Sequence, residues 1–135
     1  MQEQFMNLAI KEAEKAVKKD EVPVGAIIVK DNKVIARAHN LMEKTQLATA
    51  HAEILAINKA CKKLKSWRLD GAEMYITVEP CSMCAGAIVN ARIKKVYFDA
   101  NKQKEKNIKE VPIEKMQTDG TSEKIIKDFF KNKRK

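Results

Sequence analysis

The chain has 135 residues, 44% hydrophobic and 33% charged, which suits one domain with a real core and excludes a disordered chain. No apolar run approaches the ~18 residues that span a membrane, and the charged stretch MQEQFMNLAIKEAEK is no signal peptide, so a cytoplasmic protein with reduced cysteines is expected. The net charge of +9 comes almost wholly from lysine, the arginines being Arg37, Arg68, Arg92 and Arg134; it admits a polyanionic partner such as nucleic acid, but a lysine-rich solvated surface has the same composition.

Residues 3–19 place Phe5, Leu8, Ala9, Ala13, Ala16 and Val17 at helical spacing, the pattern of an amphipathic helix. EVPVGAIIVK (21–30) reads as a turn into a largely buried strand. Asp31 and Asn32 make a two-residue hairpin turn, and KVIARAH (33–39) is the return strand. Residues 40–48 read as loop. Residues 51–64 form a second helix with Ile54, Leu55, Ile57, Ala60, Cys61 and Leu64 inward. EMYITVE (73–79) is a third strand, 82–91 a third helix rich in small residues, and KKVYFDA (94–100) a fourth strand. Polar residues fill 101–109, PIEKMQ (112–117) is a short fifth strand, and 122–131 is a last helix running into a basic tail, 131–135. Strands alternating with helices predict an α/β domain of three layers spanning 1–135, and the hairpin makes its sheet mixed.

The chemistry is concentrated in two places. Cys81 and Cys84 form a C-x-x-C pair in EPCSMCAG. In a reducing compartment that spacing suits a redox pair or a metal pair. Redox pairs follow the first strand in a thioredoxin-like order, and this one does not. His51 in TAHAEI also follows a loop and opens a helix. Three ligands, His51, Cys81 and Cys84, would leave one position of a zinc ion open, the mark of a catalytic rather than a structural site. No further cysteine pair closes the set, and Cys61 reads as core packing. Cys81 and Cys84 share one helical face, and a helix N-terminus stabilises thiolates. Glu53, two residues past His51, is placed to move a proton between water and a leaving group. Taken singly, H-x-E is an ordinary helix start and C-x-x-C an ambiguous pair; together, each at a helix start, they point to a catalytic zinc site.

The pair H-A-E and P-C-x-x-C resembles the signature of the zinc-dependent cytidine and nucleobase deaminases. EVPVGA (21–26), HN (39–40), TAHAEI (49–54), WRLDGA (67–72), TVEPCSMCAGAI (77–88) and DFF (128–130) are similar to the bacterial tRNA adenosine deaminases, which convert the wobble adenosine of an anticodon to inosine. The resemblance implies a cytidine-deaminase-like fold with a sheet of about five strands, one zinc ion per chain on His51, Cys81 and Cys84, and Glu53 as proton shuttle. It implies that Asn40 bonds the base or ribose, that Val24 and Ala50 line the base pocket, and that Phe129 and Phe130 lie near the flanking nucleotides. Pro23, Gly25 and Gly86 are expected to serve a turn, a close approach and tight helix packing. Lys102, Lys104, Lys106, Lys109 and the tail, including Lys131 and Lys133, would steer phosphates. The family also implies a homodimer, for which Ala85, Gly86 and Ala87 would allow close packing.

Two departures are visible. Leu47-Ala48 stand where the family has Asp-Pro, and the segment after the fourth strand is short, with only NKQKEKNIKEV (101–111) in place of a longer loop and helix. The expected reaction is hydrolytic deamination of adenosine in tRNA. The short segment keeps a second reading open, a deaminase of a free base, nucleoside or nucleotide. A third, a zinc-stabilised binding subunit without activity, is disfavoured by Glu53, which such a subunit would not need.

Overall fold

The Asp31-Asn32 turn sets the first half of the fold. Both residues have positive φ, 52° and 62°, the geometry that matches the twist of an antiparallel hairpin. In the computed structural model, which describes residues 2–101, 111–116 and 119–133, this turn joins β1 (Gly25–Lys30) to β2 (Lys33–His39). The register runs from Lys30↔Lys33 to Gly25↔His39, with a bulge between Ile28 and Val29.

The remaining elements follow in the expected order, with one addition. They are α1 (Gln2–Lys18), α2 (Met42–Thr45), α3 (Ala52–Leu64), β3 (Glu73–Val78), α4 (Ser82–Asn90), β4 (Lys95–Ala100), β5 (Ile113–Lys115) and α5 (Thr121–Lys133). The sheet order is β2-β1-β3-β4-β5. β1 is antiparallel to β2 and to β3, while β3, β4 and β5 run parallel. The fold is therefore the mixed five-stranded α/β architecture expected.

Alternation along the strands builds the layers. Ala26, Ile28, Met74, Ile76, Val96 and Phe98 face Ala52, Ala56 and Ala60 of α3 and Ile88 of α4. Ile27, Val29, Tyr75 and Tyr97 face Met6 and Ala9 of α1, and α5 lies beside α1 over β3 and β4. Gly25 allows the first layer to close. A Cβ there would lie 2.0 Å from the Ala9 carbonyl oxygen and 2.7 Å from the Ala13 nitrogen. Gly86 is different: nothing lies within 4 Å of where its Cβ would be, so the tight packing expected there is not made within the described chain.

The addition is α2, a single turn where loop was expected. Glu21, 1% exposed, accepts the N–H groups of Glu43 at 3.0 Å and Lys44 at 2.8 Å. Its carboxylate thus satisfies orphan donors at a helix start from 22 residues away.

α1 carries one charged group into the core. Glu12 is 4% exposed, and it bonds Lys15 at 2.8 Å and His39 Nδ1 at 2.9 Å. Burial opposes its ionisation, but the hydrogen bonds from Lys15 and His39 and the Lys15 charge outweigh that and hold its pKa below the ordinary value. A carboxyl with a lowered folded pKa adds stability that is full above its unfolded pKa and is lost as pH falls through the folded one. The melting temperature is therefore expected to drop as pH falls below about 4.3. Titration of Glu12→Gln in parallel checks the assignment, since that variant should show a shallower acid slope.

Candidate active site and metal centre

β2 and β3 point the same way because each is antiparallel to β1 between them. The helices that follow them therefore start at one edge of the sheet, the usual place for a ligand in an open α/β sheet. His51 is the residue before α3, with φ −75° and ψ 151°, and Cys81 the residue before α4, with φ −75° and ψ 175°. Both are extended, and neither side chain caps its own helix. Each side chain turns towards the other. Cys84 follows one turn later and is fully buried. His51 Nδ1 lies 3.7 Å from Cys81 Sγ and 3.5 Å from Cys84 Sγ. The three ligand atoms fall within 4.8 Å of one another, the one such group of three or more among the described residues.

The surroundings fit a cation. Burial first, then the carboxylate of Glu53 and the neighbouring Cys81 thiol, push the Cys84 thiol well above its ordinary range. A metal reverses that balance, because a coordinating thiol is deprotonated. Glu53 is in the first turn of α3 and 4% exposed. Its carboxylate is close enough to bear on Cys84.

A cavity of 340 Å³ opens over the group. His51, Cys81, Glu53, Asn40 and Val24 line it, as do Val22, Met42, Val78, Glu79 and Asn101, while Ile126 and Phe130 of α5 close one side. A larger cavity of 590 Å³ lies between α1 and α5 and touches none of these groups. The smaller one is the candidate site because donors that could hold a metal converge there. Of the residues expected from sequence, Val24, Asn40 and Phe130 reach it. Asn40 is also the cap of a helix not its own: its Oδ1 accepts the Ala52 N–H at 2.7 Å. Ala50 is 2% exposed and does not line the cavity; its carbonyl takes the Leu41 N–H at 3.0 Å. Phe129 is 8% exposed and packs edge-on against Phe130, which is 42% exposed. One of the two aromatics serves the core and the other the cavity. Met42 and Ile126 were missed from sequence. Only the i, i+4 spacing of Ile126 and Phe130 on the last helix could have signalled that pair.

Of the cations expected to steer phosphates, Lys131 and Lys133 fall among the described residues. Lys131 is exposed near the end of α5. Lys133 is paired with Asp20 and lies over the Phe129 ring. Lys102, Lys104, Lys106, Lys109 and the last two residues of the tail lie outside the described residues.

The MafB19-like deaminase family model matches residues 1–134. The chain belongs to that family. A tRNA-specific adenosine deaminase of Bacillus subtilis is 57% identical to this chain over 98 residues, 73% of the chain and 61% of the relative. The chain thus spans less than two thirds of that curated relative's length. A solved structure from work on A-to-I editing by tRNA:A34 deaminases superposes with a TM-score of 0.85 at 38% identity, over 90% of this chain and 98% of that one. A guanine deaminase from Bacillus subtilis superposes with a TM-score of 0.70 at 30% identity, over 98% and 92%. No helix among the described residues of the chain is long and apolar enough to cross a membrane.

Proposed function

We propose that this deaminase holds one zinc ion and hydrolyses adenosine to inosine in RNA, with the wobble adenosine of a tRNA anticodon as substrate. The observation that carries the chemistry is the spacing of the ligand atoms. A zinc ion bound tetrahedrally at ~2.3 Å to sulfur and ~2.05 Å to nitrogen sets N···S separations of about 3.6 Å. The observed values are 3.7 and 3.5 Å. His51, Cys81 and Cys84 would hold the ion, and two thiolates balance its charge. When bound, zinc lowers the pKa of water at the position the three ligands leave open.

This chain's own residues account for the rest. Glu53 takes a proton from the attacking water and returns protons to the ring and to the departing amine, so that water adds at C6 and ammonia leaves. Asn40, with Oδ1 engaged by Ala52, presents its amide N–H donors to an acceptor on the base or ribose. Val24 and Met42 supply apolar wall, and Phe130 on α5 offers a face for a stacked base. The target base must leave its stack to reach so enclosed a centre. A homodimer in the cytoplasm completes the reading. The outer side of α4, with exposed Ser82, Met83, Gly86 and Asn90, has no other atom of the described residues within 4 Å of where a Gly86 Cβ would lie and suits close approach of a second copy.

Substrate choice rests on the relatives. The 57% identity favours tRNA adenosine. The superposition on a guanine deaminase, with the short segment 101–111, favours a free base. The test is to offer the zinc-loaded protein an anticodon stem-loop with a wobble adenosine, and separately free adenine, guanine and cytosine nucleosides and bases, with Glu53→Ala as blank. Inosine in the stem-loop is the expected result. Ammonia from small substrates alone would overturn the RNA reading in favour of the second.

Metal removal gives a further expected outcome. Dialysis against a strong chelator should abolish turnover and lower the melting temperature, and one equivalent of zinc per chain should restore both. Metal analysis beside calorimetry checks it. Restoration of activity by no metal would count against the site.

A further inference from the structure

We infer that Glu12 and His39 are positioning residues for Asn40 and, through it, for the first turn of α3. The inference rests on the reading above only for what Asn40 does to substrate; where Asn40 is held is independent of it.

The two groups are the middle of a buried relay. Lys15 Nζ donates to Glu12 Oε2 at 2.8 Å, Glu12 Oε1 lies 2.9 Å from His39 Nδ1, and His39 Nε2 lies 3.1 Å from Lys19 Nζ. An ammonium has only donors, so Nε2 accepts from Lys19 and the ring proton sits on Nδ1, where it is donated to Glu12. Glu12 is 4% and His39 8% exposed. Helix α1 thus places a carboxylate among Met6, Ala9, Ala13 and Ala16 on its buried face. Such burial is costly unless the group is fully bonded.

The relay grips the strand end that carries the site. His39 is paired in register with Gly25, where α1 comes so near that a Cβ would meet the Glu12 Cβ at 2.9 Å. The next residue, Asn40, sends its own N–H to the Val24 carbonyl at 3.2 Å and accepts the Ala52 N–H at 2.7 Å. Consecutive residues at a strand end turn to opposite faces. His39 is therefore tied to α1 on one side of the sheet while Asn40 is tied to α3 on the other. Ala52 stands between His51 and Glu53. Movement of the strand end loosens the amide that meets the substrate and the helix turn that carries the proton shuttle together.

The experiment is a double-mutant cycle on the zinc-loaded full chain. His39→Phe removes both ring nitrogens and keeps an aromatic ring; Asn40→Ala removes the group it positions. With the stem-loop as substrate, His39→Phe is expected to raise KM about tenfold with kcat changed less, and to have almost no further effect on KM in the Asn40→Ala background. Glu12→Gln, which keeps the shape of the side chain, should show the same dependence more weakly and serves if His39→Phe does not fold. A second readout needs no activity. The Ala52 amide should exchange with solvent about tenfold faster in His39→Phe, with the Ile28 and Met74 amides unchanged. Additive effects on KM with unchanged Ala52 exchange would overturn the proposal. If the wild type acts on no stem-loop, the RNA reading fails and Ala52 exchange alone decides this one.

Discussion

Glu53→Gln is expected to lower kcat by about 10³-fold or more while leaving the metal content of the purified protein unchanged. The side chain is 4% exposed, lines the cavity and bears on Cys84, yet the proposed ligands are His51, Cys81 and Cys84. An amide of the same shape keeps the packing and loses the proton transfer, so the defect should fall on kcat, with KM nearly preserved. Cys84→Ala makes the contrast. It should lose metal and turnover together, because it removes a fully buried ligand. Metal analysis with steady-state kinetics on both variants separates the two roles; loss of metal in Glu53→Gln would make the carboxylate a ligand.

Gly25→Ala is expected to be the most damaging single methyl group in the chain. The added Cβ would sit 2.0 Å from the Ala9 carbonyl oxygen, and backbone cannot move aside as a flexible side chain can. Relief requires lifting α1 from β1, which opens the layer built on Met6, Ala9, Ile27 and Val29. Overpacking in a close-packed core costs roughly 1–3 kcal/mol; a clash with backbone is expected to exceed that and leave the protein insoluble or without a cooperative melting transition. Gly86→Ala is the contrast: no atom of the described residues would meet its Cβ, so the subunit fold should survive and any cost should fall on the approach of the second copy proposed at this face. Thermal denaturation of the two variants, with the oligomeric state of Gly86→Ala, checks both.

Much of the fold was legible because its signals are local. The period of the first helix, the Asp-Asn turn and the alternation of strands with helices follow from neighbours within a few residues. The grouping of His51, Cys81 and Cys84, which could hold a metal, was legible for a different reason: histidine and paired cysteines are rare residue types, and their spacing to helix starts is read from the chain directly. What escaped depends on contacts across the fold. α2 exists because Glu21 bonds the Glu43 and Lys44 N–H groups from another part of the chain, and nothing in its own four residues announces it. Phe129 and Phe130 are adjacent and identical in type, so only the placement of α5 assigns one to the core and one to the cavity. Asn40 was read for substrate, and its bond to Ala52 shows that a polar residue in a loop can hold a distant helix end while lining a cavity.

The separation of the ligands along the chain has a consequence for the order of assembly. Cys81 and Cys84 are three residues apart, so an unfolded chain offers a soft cation two sulfurs without help from the sheet. His51 arrives from 30 residues upstream only when β1 has been seated between β2 and β3. Closing that loop is an entropic cost, and a cation already held by the thiols offsets part of it by gaining its nitrogen ligand. Metal captured early would therefore act as a folding staple as well as a reagent, favouring the strand order that also delivers Glu53. A chain made under metal starvation is expected to fold more slowly than one made with zinc present, to the same sheet.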